Sequence, residues 1–312
     1  MRSEEELRGF FAGELREHVE AWRRLPRIRP PNGIDLVALG VAVLFAFATQ
    51  RSEALWLGAG YLVLRVMYDI RRVQSAFKQE VLSRVFEFAL PGVQYQPHSH
   101  IGAEHVRRSG LFRESWNDDS GEDYVAGRHG STDFWFSELT LAKEKKDQRS
   151  VVFQGLFFIA DFHKSFRGRT YLLPDVAERA FGALGRAAQA LRIDGTELVE
   201  LEDPDFEKRF VCSSTDPLEA RYLLSTSMLQ RILRIAERSR GALRVSFVDE
   251  CLYLALPSGD LFQAPFLGGS LDEAALLGFV RELRSVLGLV EELGLNTRIW
   301  SKPAPAEARP IR

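Results

Sequence analysis

Apolar positions follow two regimes in the first ninety residues. Leu7, Phe10, Phe11, Leu15, Val19, Trp22 and Leu25 recur three to four apart, the spacing of one helical face. Ser3 with Glu6 makes a capping box, and Pro26 followed by "RPPNG" stops the run. This predicts an amphipathic helix over 3–25, packed on the rest of the protein or laid on a membrane surface. The periodicity then disappears. Leu36–Gln50 contains fifteen residues without a charge and Ala54–Leu64 eleven, split by Gln50, Arg51, Ser52 and Glu53. Helices apolar all round are buried in a core or in a bilayer.

Neither run reaches the ~17–20 residues of an unaided span, so the flanks carry the argument. Arg23, Arg24, Arg27 and Arg29 precede the pair; Arg65, Arg71, Arg72 and Lys78 follow; the intervening loop has Arg51 offset by Glu53. By the positive-inside rule both flanks are cytoplasmic, which predicts a two-span transmembrane hairpin with both termini inside. Gly40, Gly58 and Gly60 would let the helices approach closely, and the Arg65 stem would snorkel toward headgroups. A buried helical hairpin in a soluble fold and a shallow hairpin are the competing readings. No proline interrupts 54–90, and Val66, Ile70, Val73, Phe77, Val81, Val85 and Phe88 keep helical spacing up to Pro91-Gly92. The second span should therefore continue as a stalk helix.

Beyond residue 92 the pattern shortens. "TDFWFSELTLAKE" and "VVFQGLFFIADF", joined by "KKDQR", read as a long hairpin, the second strand apolar on both faces and so central. "FRGRTYLLP", "TELVEL" and "FEKRFVCSS" read as further strands, and "LRVSFVDECLYLALP" as a hairpin about Asp249-Glu250. Helices are expected from Asp175 (capping box with Glu178) to Arg192, from Asp216-Pro217 to Ser239 as one helix or two broken near "STS", and from Ser270 with Glu273 to Gly294. The stretch "RSGLFRESWNDDSGEDYVAGRHG" reads as a long irregular loop, and "KPAPAEARPIR" as a disordered tail. Strands arriving in hairpins predict an α+β fold with a mainly antiparallel sheet and several helices.

Composition narrows the function classes. With 46% hydrophobic and 27% charged residues in 312, the chain is globular rather than disordered. A net charge of −2 argues against nucleic acid as a partner. Two cysteines, Cys212 and Cys251, with no C-x-x-C pair fit free thiols in a reducing compartment, with a disulfide the alternative. The charged N-terminus has no signal-peptide core.

"FSELTL", "VFQGLFFIADFHKSFRGRTYLLPD" and "FEKRFVCSSTDPLEARYLLSTSMLQRI" resemble the core motifs of the bacterial domain-of-unknown-function family 3137, over roughly residues 60–300. The resemblance implies membrane attachment, a bacterial cytosolic face and a cytosolic α+β domain. It implies no activity and transfers no catalytic residue.

Three residue groups bear on chemistry. "HSHIGAEH" supplies His98, His100, Glu104 and His105, zinc-type ligands whose spacing fits no established motif. Asp203, Asp205 and Glu207, near Asp216 and Glu219, are carboxylates for Mg²⁺ or acid–base work, or simply turn and cap residues. Lys143, Lys145, Lys146 and Arg149, with Lys164, Arg167 and Arg169 in the next turn, are candidates for lipid headgroups, or solvated strand ends. Trp116 and Tyr124, in the long loop, are candidates for a partner contact.

The expected layout is an amphipathic helix and basic linker (1–31), a transmembrane hairpin (32–68), a stalk helix (69–91), a cytosolic α+β domain (92–300) and a tail (301–312). The expected function is a scaffolding or binding module at the inner (cytoplasmic) membrane, integral by two spans, recognising an unknown protein partner or a lipid headgroup. No cofactor is implied. A metal-dependent hydrolase using the His/Glu cluster and a soluble ligand-binding protein with the hairpin as core are the alternatives.

Overall fold

A computed structural model of the chain describes residues 3–26, 28–29, 32–49, 53–146, 148–162, 165–175, 195–238, 242–263 and 272–295. The chain divides into two compact units, 1–90 with 262–278, and 91–261 with 279–312.

The first unit is helical: α1 (Glu4–Ala12), α2 (Glu14–Arg24), α3 (Gly33–Thr49), α4 (Glu53–Phe77), a π-helical turn (Lys78–Leu82) and α5 (Ser83–Ala89). The capping box forms: the Ser3 hydroxyl accepts from the Glu6 N–H and the Glu6 carboxylate accepts from the Ser3 N–H. The single helix expected over 3–25 is instead two, because Gly13 leaves helical geometry at φ −98°, ψ −99°. Leu7, Phe11, Leu15, Val19 and Trp22 are buried. Phe10 stacks on Phe88 at 4.1 Å, and Trp22 packs on Phe77 at 5.5 Å while donating its indole N–H to the Val73 carbonyl. The expected stalk is thus helical, but α1 and α2 wrap it. Lys78, read from sequence as a flanking cation, is buried.

The expected hairpin forms in part. α3 and α4 pair, and Gly58 is where they touch: a Cβ there would lie 3.3 Å from that of Ala42, while Gly40 and Gly60 have open space. Among the described residues, however, no helix is long and apolar enough to cross a membrane. The seventeen residues of α3 rise about 25 Å against a ~30 Å hydrocarbon core, and α4 continues into Arg65, Asp69, Arg71 and Arg72.

The second unit is built on a nine-stranded sheet, antiparallel throughout, in the order β1-β2-β3-β4-β9-β8-β5-β7-β6. The strands are β1 (Gln94–Gln96), β2 (Asp118–His129), β3 (Thr132–Lys145), β4 (Gln148–Asp161), β5 (Thr170–Pro174), β6 (Glu197–Leu198), β7 (Phe210–Ser214), β8 (Arg244–Val248) and β9 (Cys251–Pro257). The helices are α6 (Ala103–Ser109), α7 (Pro204–Glu207), α8 (Pro217–Leu223), α9 (Thr226–Arg238) and α10 (Glu273–Glu292), the last belonging here from Phe279 on. α+β is therefore correct, and β4 is central as its two apolar faces required. One face, with Leu139, Leu141, Phe153, Phe157 and Ile159, is covered by Ile101, Val106 and Leu111 of the α6 region. On the other, Phe134, Phe136 and Phe158 stack in a row.

The main departure is β2. Its stretch, "DDSGEDYVAGRH", is poor in β-formers and reads as loop, yet it pairs along β3 with a bulge between Glu122 and Val125. Partner strands on both sides supply what propensity lacks. Helix α10 starts one residue after Asp272, whose carboxylate accepts from the Ala275 N–H; the expected cap Ser270 lies outside the described residues. So do residues 176–192 of the helix expected from Asp175, and the tail 301–312. Cys212 and Cys251 are free thiols.

Gly155 marks the tightest backbone approach, β4 against the end of β9: a Cβ there would strike the Leu256 carbonyl and come within 2.6 Å of the Ser258 nitrogen. Neither obstacle is a flexible side-chain end. Gly155→Ala should lower unfolding stability by about 1–3 kcal/mol, read by chemical denaturation of the full chain.

Candidate functional site

The hairpin leaves a long apolar surface exposed among the described residues. Fourteen large apolar side chains among the described residues from Ile34 to Tyr68 are exposed, with Phe47 at 86% and Trp56 at 76%. At the foot of the hairpin two buried carboxylates are held by arginines. Asp35, in the first turn of α3, accepts from the Tyr61 hydroxyl at 2.5 Å and pairs with Arg65 at 2.9 Å. Asp69, on α4, accepts from the Arg29 backbone N–H at 3.0 Å and its guanidinium at 2.7 Å, with Arg72 at 3.9 Å. Arg65 therefore does not snorkel freely; it locks α4 to the start of α3 and donates to the Arg29 carbonyl. Buried carboxylates are tolerated because each meets opposite charge and several donors.

Burial pushes the Asp69 carboxyl up, but the Arg29 N–H and guanidinium and the Arg72 charge outweigh it, so its pKa lies below the ordinary value. A carboxylate lowered on folding contributes stability that is complete above its unfolded pKa and lost as pH falls through the folded one.

A second acidic group sits on the sheet. Asp123, at the β2 bulge with φ +59°, is fully buried. Its carboxylate oxygen and single oxygens of Glu122 and Glu138 lie within 4.8 Å of one another, the one such group among the described residues. Protein donors serve it: the Tyr95 hydroxyl donates to Asp123 at 2.5 Å and the Leu261 N–H to Glu138 at 2.6 Å. Burial first, and then the Asp123 charge, push the Tyr95 phenol far above its ordinary value, so it stays a donor. Glu122 and Glu138 also line a cleft of about 210 Å³ with Gln154, Ser258 and Asp260. This group escapes sequence reading because its members come from two strands, one of them in the unrecognised β2.

The residues singled out by sequence scatter. His98, His100, Glu104 and His105 do not bring ligand atoms together; His100 instead contacts Asp119 at 3.3 Å, and burial lowers the His105 pKa. Asp203 caps α7 and Asp216 caps α8, Asp205 pairs with Lys208, Glu207 accepts from the Leu201 N–H, and Glu219 accepts from the N–H groups of Arg167 and Gly168.

The basic residues divide. Lys143, donating to Ser115, with Lys145, Lys146 and Arg149, paired with Asp118, marks the β3–β4 tip. Arg169 and Arg167 precede Thr170, which lies in the row Ala160–Leu252–Phe247–Thr170 at the opposite end of the sheet. Eleven residue steps along β4 separate Arg149 from Ala160, roughly 35–40 Å. Lys164 lies outside the described residues. Trp116 packs on the core with Arg107 stacked on it at 4.5 Å, and Tyr124 packs on the same core.

Asp69→Asn should therefore flatten the loss of stability between pH 5 and pH 3 relative to the parent chain while weakening the fold at pH 7, read by denaturant unfolding at each pH.

No curated protein matches the chain. A crystal structure of the mycobacterial trehalose monomycolate transport factor A, TtfA, is similar at 12% identity over 66% of this chain and 93% of that one, with a TM-score of 0.34, too distant to carry an argument. Residues 151–295 fit the family described as "Protein of unknown function (DUF3137)", an uncharacterised domain family; the match is shorter than the roughly 60–300 expected and leaves "FSELTL" outside it.

Proposed function

We propose that this chain is a membrane-attached binding module. Its α3–α4 hairpin inserts an outward apolar face into a bilayer and tethers the sheet unit there to recognise a protein partner. The observation that carries the reading is the run of exposed apolar side chains from Ile34 to Tyr68. At about 1.5–3 kcal/mol for each large side chain removed from water, fourteen of them represent on the order of 20 kcal/mol or more. That exceeds the net stability of an ordinary domain. The same side chains speak against a hairpin serving as core, since they stand outward.

The arginines before α3 and after the apolar part of α4, with few charges between, favour an orientation with both chain ends on the cytoplasmic side. The shortness of α3 favours a hairpin seated in a thinned or shallow part of the bilayer over two full spans. The hydrolase reading loses its footing where His98, His100, Glu104 and His105 fail to converge.

Phe45→Asp with Phe47→Asp tests the anchor. A carboxylate costs about 2.5–3.5 kcal/mol at the centre of a membrane helix and less toward its ends, so the pair, near the C-terminal end of α3, should release the chain from carbonate-washed membranes by roughly tenfold or more, with circular dichroism unchanged. Parent chain already extracted by carbonate would overturn the reading.

A further inference from the structure

We propose that a collar of arginines at the foot of the hairpin selects anionic lipid headgroups, an inference that rests on the membrane reading above. The collar is assembled by specific contacts within the helical unit. Trp22 donates to the Val73 carbonyl at 3.0 Å and Arg72 to the Pro26 carbonyl at 2.8 Å. These fix the last turn of α2, with Arg23 and Arg24, against the part of α4 that carries Arg71 and Arg72. Arg29 joins them through Asp69 and lies 5.3 Å from the ring centre of exposed Tyr68.

The apolar surface ends at Met67 and Tyr68. Arg71 and Arg72 follow within about one helical turn, roughly 5 Å, inside the ~8 Å screening length of physiological salt. The cations therefore stand at headgroup level when the apolar face is inserted.

The balance of charge there is one-sided. Arg16, Arg24, Arg29, Arg65, Arg71 and Arg72 stand with Glu20, Asp35 and Asp69, six against three. Two of the carboxylates are buried and consumed by Arg65 and Arg29. The Glu20–Arg24 pair is exposed at 4.0 Å and weak. Arg23, Arg24 and Arg71 are exposed. The surplus is local, since the chain as a whole carries −2. Its position around the end of an apolar surface fits a charged lipid interface, and each such arginine raises partitioning to an anionic leaflet about fivefold.

The test is a competition. Full-length chain is reconstituted from detergent into an equal mixture of phosphatidylcholine vesicles and vesicles with about one third phosphatidylglycerol, then separated by flotation. The parent chain should favour the anionic vesicles at least tenfold in low salt. The Arg23→Gln, Arg24→Gln, Arg71→Gln variant should float equally well but distribute evenly. Parent chain spread evenly between the two, or a variant that keeps the parent's preference, would overturn the lipid selectivity and leave the anchor standing. Chain that floats with neither would overturn both.

Discussion

An apolar surface that faces outward along two paired helices has to be taken out of water, and the rest of the helical unit is arranged around that requirement. The turns of α3 and of the first half of α4 bury little apolar surface against the protein beyond the close approach at Gly58 and the Asp35–Tyr61–Arg65 contact at their foot. Their outward side chains cannot be shielded by α1 and α2, which cover a different stretch, Val73 to Phe88. In the function proposed above, a bilayer would supply the missing contact without any further protein element. On that proposal, the hydrophobic term that would make the hairpin a liability in water would be the force that places the molecule.

The carboxylates at the foot of the hairpin make this arrangement definite. Asp35 and Asp69 fix the helices to each other and to the Arg29 segment through charge-assisted hydrogen bonds. Such bonds are roughly twice as strong as neutral ones, and they tie the boundary between apolar and charged surface to one level of the chain. A looser hairpin could slide; this one presents its arginines at a set distance from its last apolar residues.

Much of this was legible in the sequence, and the exceptions have physical causes. Periodicity gave α1–α2, α5 and the long β3–β4 hairpin, and the caps at Ser3 and Asp216 formed as their spacing required. The break at Gly13 was hidden because the apolar stripe runs through it unchanged. β2 was hidden because its own residues are indifferent to strand formation and its neighbours are not. Proximity in sequence misled in both directions. The four candidate ligands from His98 to His105 sit together in the chain and do not converge, whereas Glu122, Asp123 and Glu138 converge across a strand pair. The arginine–carboxylate pairs of the hairpin foot were equally invisible, since Arg29 and Asp69 are forty residues apart.

The most direct test is depth. Cys212 and Cys251 are poor nucleophiles, burial pushing their thiols up to about 12 and about 11. A Phe47→Cys chain can therefore be labelled selectively with a polarity-sensitive fluorophore and reconstituted into vesicles carrying nitroxide-labelled acyl chains. The account predicts strong quenching at position 47 and none for the same label at exposed Glu87, nineteen residues beyond Tyr68 along the helical run, about 28 Å. Equal, weak quenching at both positions would contradict it.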